Sequence, residues 1–98
     1  PGLEVLTAAD GSQALRLLLQ SSFDLTVLDV HMPSLTGIQI LDHLKSAGLQ
    51  VPSILMTGNP STAIKTAALE LGAITMLRKP VPTEILRITV EQIISNRH

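Results

Sequence analysis

The sequence has no cysteine, tryptophan or tyrosine and only one phenylalanine, and these gaps exclude several kinds of protein. Without cysteine, the chain can form neither a disulfide framework nor a thiolate metal site. Without rows of aromatic side chains, it lacks the stacking platforms that bind single-stranded nucleic acid. Hydrophobic residues still make up 45% of the chain, so leucine, isoleucine, valine, alanine and methionine must build the core.

The sequence also has no large excess of positive or negative charge and no long apolar run. The formal net charge is −1 and the lysines and arginines are scattered, so direct binding to nucleic acid is not expected. No apolar run approaches the roughly 18 residues of a membrane span. The first residues do not resemble a signal peptide. We therefore expect one soluble, cytoplasmic domain over residues 1–98 that contacts neither nucleic acid nor membrane directly.

Short apolar runs alternate with segments of helical periodicity along the whole chain. The pattern predicts strands at 3–7, 24–28, 53–56 and 74–78 and helices at 12–21, 36–47, 60–71 and 83–96. Strands that alternate with helices form a parallel sheet with helices on its faces. The predicted fold class is therefore α/β with four βα units.

Several residues mark the predicted helix ends. Asp10 and Gln13 form an aspartate version of the capping box at the first helix. Asn59 and Pro60 have the residue types of an N-cap followed by the first helical position. Gly48 suits the position just past a helix, where a positive φ is required.

Helical spacing also predicts which faces are buried. The second helix presents Ile38, Leu41 and Leu44 to the core. The last helix has apolar residues on more than one face, namely Ile85, Leu86, Ile88, Val90, Ile93 and Ile94. The surplus is either a partner surface or a face covered by the rest of the protein.

Polar side chains follow three of the predicted strands. Asp29 follows the apolar run 25–28, Thr57 follows 53–56, and Lys79 follows 74–78. Neighbouring parallel strands lie about 4.8 Å apart and end at a common edge. A carboxylate, a hydroxyl and an ammonium group can therefore meet around one small anion, such as a phosphoryl group on Asp29. Taken singly, each residue has a plainer interpretation as a turn aspartate, a backbone-bonded hydroxyl or a solvated lysine.

The chain resembles the receiver domain of two-component response regulators along essentially its whole length. The segments that carry the resemblance are 9–11, 28–33 with Gly37, 56–58, 72–73 and 79–80. The resemblance implies a flavodoxin-like, doubly wound sheet. It also implies that Asp29 is the phospho-acceptor, Thr57 the switch hydroxyl, and Lys79 the phosphate-binding lysine before a cis proline. The implied partner is a histidine kinase or a phosphotransfer protein.

The chain also departs from the family pattern. Receivers usually begin with a further strand and helix, and that strand ends in an acidic pair that holds Mg²⁺; here the chain opens before the second strand. The implied metal ligands that remain are Asp29 and the backbone carbonyl of His31, so we expect Mg²⁺ binding to be weak or absent. Asp10 is a weaker substitute ligand, because capping already accounts for it. Met76 stands where the family usually has an aromatic switch residue.

The missing first βα unit would leave a slot between the strands at 3–7 and 24–28. Three arrangements remain open: a fragment of a longer chain, a rearranged sheet in which the flanking strands close on each other, and a homodimer that exchanges a strand. Two functions also remain open. One is a truncated phosphorelay receiver with impaired phosphorylation of Asp29, and the other is a phosphorylation-independent interaction module. We do not expect an enzyme, because no general base is evident.

Overall fold

The computed structural model describes residues 10–96, in which helices and strands alternate. The elements are α1 (Gly11–Gln20), β1 (Thr26–Asp29), α2 (Gly37–Ser46), β2 (Ser53–Thr57), α3 (Thr62–Glu70), β3 (Thr75–Arg78) and α4 (Thr83–Ser95). Each agrees with a predicted element to within a few residues. The predicted strand at 3–7 lies outside the described residues.

The described strands form one parallel sheet in the order β1-β2-β3, which confirms the predicted α/β class. β2 lies in the centre, and its register pairs Met56 with Asp29 on one side and Thr57 with Arg78 on the other. The three carboxyl ends therefore lie at one edge of the sheet, where ligands bind in open α/β folds.

The core lies between the sheet and the helices that pack on it. Its fully buried apolar side chains are Ile40, Ile54 and Leu55. The predicted stripe on α2 is partly correct, since Leu41 and Leu44 are buried while Ile38 is only half-buried. The stripe omitted Ile40, which has no exposed surface at all.

The structure confirms two predicted helix ends. Asp10 is the N-cap of α1, and its Oδ1 atom accepts the Gln13 N–H at 2.9 Å. Gly48 follows the C-cap of α2 with a φ of +74°, a conformation that glycine adopts at no steric cost. Its N–H donates to the carbonyl oxygen of Lys45 at 3.0 Å.

The predicted start of α3 is wrong. The N-cap is Ser61, whose side chain accepts the Ile64 N–H at 3.1 Å. Asn59 instead lies before the helix, and its N–H donates to Thr57 Oγ1 at 3.1 Å. The helix therefore begins after both Asn59 and Pro60.

The last helix packs loosely within the described part of the chain. None of the residues of α4 is buried, and Ile85 and Ile88 are 47% and 39% exposed. Between its apolar positions, Arg87 forms ion pairs with Glu84 and Glu91 on the helix surface. No helix among the described residues is long and apolar enough to cross a membrane.

Candidate functional site

Asp29 is the last residue of β1 and lies at the carboxyl edge of the sheet. The parallel ladder continues one residue past it, because the Val30 N–H donates to the Met56 carbonyl oxygen at 2.8 Å. The chain then turns, and the His31 N–H donates to Asp29 Oδ1 at 2.9 Å. The backbone that follows Asp29 thus continues the sheet and places one N–H on its carboxylate.

Lys79 reaches the same carboxylate from the far side of the central strand. Its N–H donates to the Thr57 carbonyl oxygen at 2.8 Å, which extends the β2–β3 ladder beyond Arg78. Its Nζ atom forms an ion pair and hydrogen bond with Asp29 Oδ2. The peptide bond from Lys79 to Pro80 is cis, as the resemblance implied.

Two opposing influences act on the pKa of Asp29. Partial burial raises the pKa because it disfavours the charged carboxylate. The hydrogen bond from Lys79, the His31 N–H and the Coulombic influence of both residues lower it, and together they prevail. The pKa of Asp29 therefore lies below its usual value, and the carboxylate is ionised at neutral pH.

Thr57 lies at the same edge, at the end of the central strand, and is fully buried. Its Oγ1 atom accepts the Asn59 N–H at 3.1 Å. Among the hydrogen bonds of the described residues, none joins Thr57 to Asp29. The structure thus brings Asp29 and Lys79 into contact and places Thr57 on the strand between them, with its hydroxyl on a local backbone group.

The described residues do not fit a complete Mg²⁺ site. Mg²⁺ requires near-octahedral oxygen ligands, usually including one or two carboxylates. No group of three or more His, Asp or Glu residues within 10–96 could hold a metal ion. Both oxygens of Asp29 already accept hydrogen bonds, from His31 and Lys79. Asp10, the substitute ligand considered above, uses its side chain to cap α1.

Gly37, the first residue of α2, contributes to the site without a side chain. Its N–H donates to the Val30 carbonyl oxygen at 3.2 Å. A Cβ atom at this position would lie 2.8 Å from the backbone oxygen of Asp29 and 3.2 Å from Leu55 Cδ2. The helix can therefore approach the end of β1 only because residue 37 is glycine. The sequence comparison marked this glycine as a landmark but did not reveal the close approach.

We expect Gly37→Ala to displace the end of β1 and to lower the free energy of unfolding by about 1–3 kcal/mol, the usual cost of overpacking. Urea denaturation measures the loss. Gly58→Ala is the matched control, because a Cβ atom there would meet nothing within 4 Å. Equal stability of the two variants would show that the approach of α2 to Asp29 tolerates a methyl group.

A parallel α/β sheet with an aspartate–lysine pair at its carboxyl edge is the architecture of receiver domains. The family model described as "Response regulator receiver domain" matches residues 1–91. The chain therefore belongs to the response regulator receiver family, which confirms the resemblance drawn from its motifs.

Several curated proteins contain a segment that is similar to this chain. The chain is 33% identical over 97 residues to the transcriptional regulatory protein ZraR of Escherichia coli K12, and the match covers 99% of this chain and 22% of that protein. It is 33% identical over 89 residues to the sensor histidine kinase RcsC of Salmonella typhimurium, covering 91% of this chain and 9% of that protein. The chain thus spans a small part of the relatives it matches.

Solved structures show the same fold. The receiver domain of the Francisella response regulator 1452 superposes with a TM-score of 0.84 at 32% identity, over 93% of this chain and 75% of that one. The Vibrio cholerae chemotaxis protein CheY4 superposes with a TM-score of 0.83 at 32% identity, over 94% and 78%. These similarities confirm the flavodoxin-like arrangement.

Proposed function

We propose that residues 1–98 form a receiver unit in which Asp29 accepts a phosphoryl group from the phosphohistidine of a histidine kinase or phosphotransfer protein. The observation that carries the proposal is the ion pair between Asp29 and Lys79 across the central strand. Membership of the receiver family supports the phosphorelay role. A sensor histidine kinase and transcriptional regulators among the relatives support a place between a kinase and an output domain.

The proposed reaction is a phosphoryl transfer with one bond formed and one broken. A carboxylate oxygen of Asp29 attacks the phosphorus atom, and the phosphorus–nitrogen bond of the donor breaks. The electron pair of that bond stays on the imidazole nitrogen, which leaves. The Asp29 carboxylate, with a pKa below its usual value, is ionised at neutral pH, so the step needs no general base. The proposed unit is therefore a phosphoryl acceptor rather than an independent enzyme.

Lys79 and Thr57 have different proposed roles in this step. The Lys79 ammonium group neutralises charge on the transferring oxygens, which it can reach from its position beside Asp29 Oδ2. The Thr57 hydroxyl accepts one bond from Asn59 and retains a proton to donate. We propose that it donates this proton in a hydrogen bond to the phosphoryl group on Asp29, which shifts the end of β2 and signals phosphorylation.

The Mg²⁺ ion that the family usually binds needs more ligands than residues 10–96 supply. No group of three or more His, Asp or Glu residues within 10–96 could hold a metal ion, so we infer that Mg²⁺ binding depends on acids outside this range. For this reason we assign no step to the metal. We expect the 98-residue chain alone to be phosphorylated poorly and a version with a complete acidic pair to react.

The outer edge of β1 is the proposed place for a further strand. Among the described residues, β1 pairs with β2 alone, and none of them pairs with its other edge. An edge without a partner strand invites pairing with another strand. A homodimer of the 98-residue chain that covers this edge would be detected by light scattering after size exclusion, whereas a well-folded monomer would contradict it.

The test of phosphoryl transfer compares two polypeptides by intact mass. One is the 98-residue chain, and the other is the same chain joined behind the first strand and helix of a solved receiver domain. Each is incubated with a small phosphodonor and Mg²⁺. We expect the extended chain to gain the mass of one phosphoryl group and its Asp29→Asn variant to gain none, because the amide is not a nucleophile.

Two results would contradict the proposal. An equal gain in the Asp29→Asn variant would place the phosphoryl group elsewhere. No gain in the folded extended chain would favour the alternative function, a phosphorylation-independent interaction module. The specific observation that favours this alternative is that no group of three or more His, Asp or Glu residues within 10–96 could hold a metal ion.

A further inference from the structure

The N-terminus of α1 contacts the loop that follows Asp29. The first N–H groups of a helix have no partner within the helix. Here the Gly11 N–H donates to the Pro33 carbonyl oxygen at 3.0 Å. The Ser12 N–H donates to Ser34 Oγ at 3.3 Å. The β1–α2 loop, residues 30–36, thus supplies two acceptors to a helix that is distant in sequence.

Gly11 allows this contact because it has no side chain. The residue is buried, and an added Cβ atom would lie 2.0 Å from the backbone oxygen of Leu35 and 2.7 Å from its Cβ atom. Both distances are far below van der Waals contact, and the nearer atom belongs to the backbone. Any larger residue at position 11 must therefore push the loop away from α1.

Ser34 holds the loop in the conformation that makes the contact. Its φ is +65°, a value that residues other than glycine seldom adopt. Its Oγ atom donates to the Pro33 carbonyl oxygen at 2.8 Å and accepts the Ser12 N–H. These two hydrogen bonds stabilise the left-handed backbone at the point where the loop meets α1.

The same loop supplies a hydrogen bond to the Asp29 carboxylate. At its start, the His31 N–H donates to Asp29 Oδ1 at 2.9 Å. At its end, Gly37 bonds back to the carbonyl oxygen of Val30 at 3.2 Å. The loop is therefore closed on itself beside Asp29, and its far side is held by Gly11.

We propose that Gly11 is a positioning residue for Asp29. By letting the β1–α2 loop pack directly on the first turn of α1, it keeps the His31 N–H aligned with the Asp29 carboxylate. This inference rests on the proposed function only for the chemical role of Asp29. The alignment of the His31 N–H with the Asp29 carboxylate is a property of the loop itself. One consequence is that a partner that displaces α1 would also disturb Asp29.

Amide hydrogen exchange in the full chain, followed by NMR, tests the inference without any phosphorylation. We expect Gly11→Ala to speed exchange at the His31 N–H by about tenfold, the effect of weakening one hydrogen bond. Ser34→Ala removes the acceptor for Ser12 from the other side of the contact and should act in the same direction. Gly11→Ala and Ser34→Ala disrupt the same contact. The double variant should therefore speed exchange at the His31 N–H by less than the product of the two single accelerations.

Gly72→Ala separates positioning from general loss of stability. Gly72 has a φ of +92° and no atom within 4 Å of an added Cβ, so alanine strains the fold far from the loop. We expect Gly72→Ala to leave His31 exchange unchanged. An equal acceleration in Gly72→Ala, or unchanged exchange in both Gly11→Ala and Ser34→Ala, would overturn the inference.

Phosphorylation of the extended chain distinguishes this inference from the proposed function. If Asp29 accepts no phosphoryl group, the proposed function fails while the exchange result still decides the positioning role. If Asp29 is phosphorylated, Gly11→Ala should react more slowly than Gly72→Ala. A slower reaction with unchanged His31 exchange would contradict positioning through the loop.

Discussion

Replacing Lys79 by alanine is expected to slow phosphorylation of Asp29 by about 100-fold or more, the usual loss when an electrostatic donor to a transition state is removed. Lys79 Nζ contacts Asp29 Oδ2, so its charge lies where the transferring oxygens must arrive. Alanine leaves that charge uncompensated. The measurement is the initial rate of phosphoryl mass gain in the extended chain with a small phosphodonor.

Two further variants define what Lys79 contributes. Arg78→Ala removes the neighbouring cation, which is exposed at the end of β3, and should leave the rate close to that of the parent. Lys79→Arg keeps the charge but replaces a compact ammonium by a planar guanidinium, so we expect partial activity. Parent-like rates in Lys79→Ala would show that the ion pair has no part in phosphoryl transfer.

Lys79→Ala should also change how the stability of the protein depends on pH in acid. Because the pKa of Asp29 is lowered by folding, its ionised form stabilises the protein above the unfolded pKa of about 3.9, and this contribution is lost as pH falls through the folded pKa. Lys79→Ala should raise the pKa of Asp29 and reduce this loss. Unfolding free energies measured from about pH 6 to about pH 2 would show the difference.

The sequence predicted the strand ends well because of how a parallel sheet is buried. Strands covered on both faces are continuously apolar, so the first polar residue marks the end of the strand. Asp29 was located in this way, whereas Lys79 was located as the residue that follows the run 74–78, which itself ends in Arg78. The structure places the side chains of Asp29 and Lys79 in contact. The hydrogen bond between Thr57 and Asn59 was not predicted, because it depends on how the chain turns after β2.

Helix starts were harder to predict where several capping residues lie close together. Before α3, both Asn59 and Ser61 are suitable N-cap types, and the side chain that accepts the Ile64 N–H is that of Ser61. At α2, Thr36 and Gln39 form a reciprocal capping box that sequence reasoning missed. Its residue types were visible in the sequence, in the Ser/Thr-x-x-Glu/Gln pattern.

Contacts between distant segments account for the remaining errors. α2 packs against α1 and α3, and its buried residues share one core cluster with Leu55 of the sheet. It therefore buries a wider arc than one stripe, and Ile40 lies within that arc. The need for glycine at positions 11 and 37 likewise arises from backbone atoms of other segments, those of Leu35 and Asp29. Periodicity along one helix carries no information on such contacts.

Leu55→Ala is expected to lower the free energy of unfolding by about 2–5 kcal/mol, the range for a large-to-small change in a core. Leu55 lies in the middle of the central strand with no exposed surface and pairs in register with Leu28. Its side chain also lies near the start of α2, since Cδ2 is 3.2 Å from where a Cβ atom added to Gly37 would stand. Alanine would leave a cavity that the sheet and helix cannot both close.

A loss of this size is a large share of the about 5–15 kcal/mol that stabilises a typical domain. Urea denaturation measures it, with Leu69→Ala as the control, because Leu69 is 69% exposed on α3 and should change stability by less than about 0.5 kcal/mol. Equal stability of the two variants would mean that Leu55 is not part of the core. Because Leu55 lies beneath the junction of β1 and α2, its cavity would also loosen the support of Asp29.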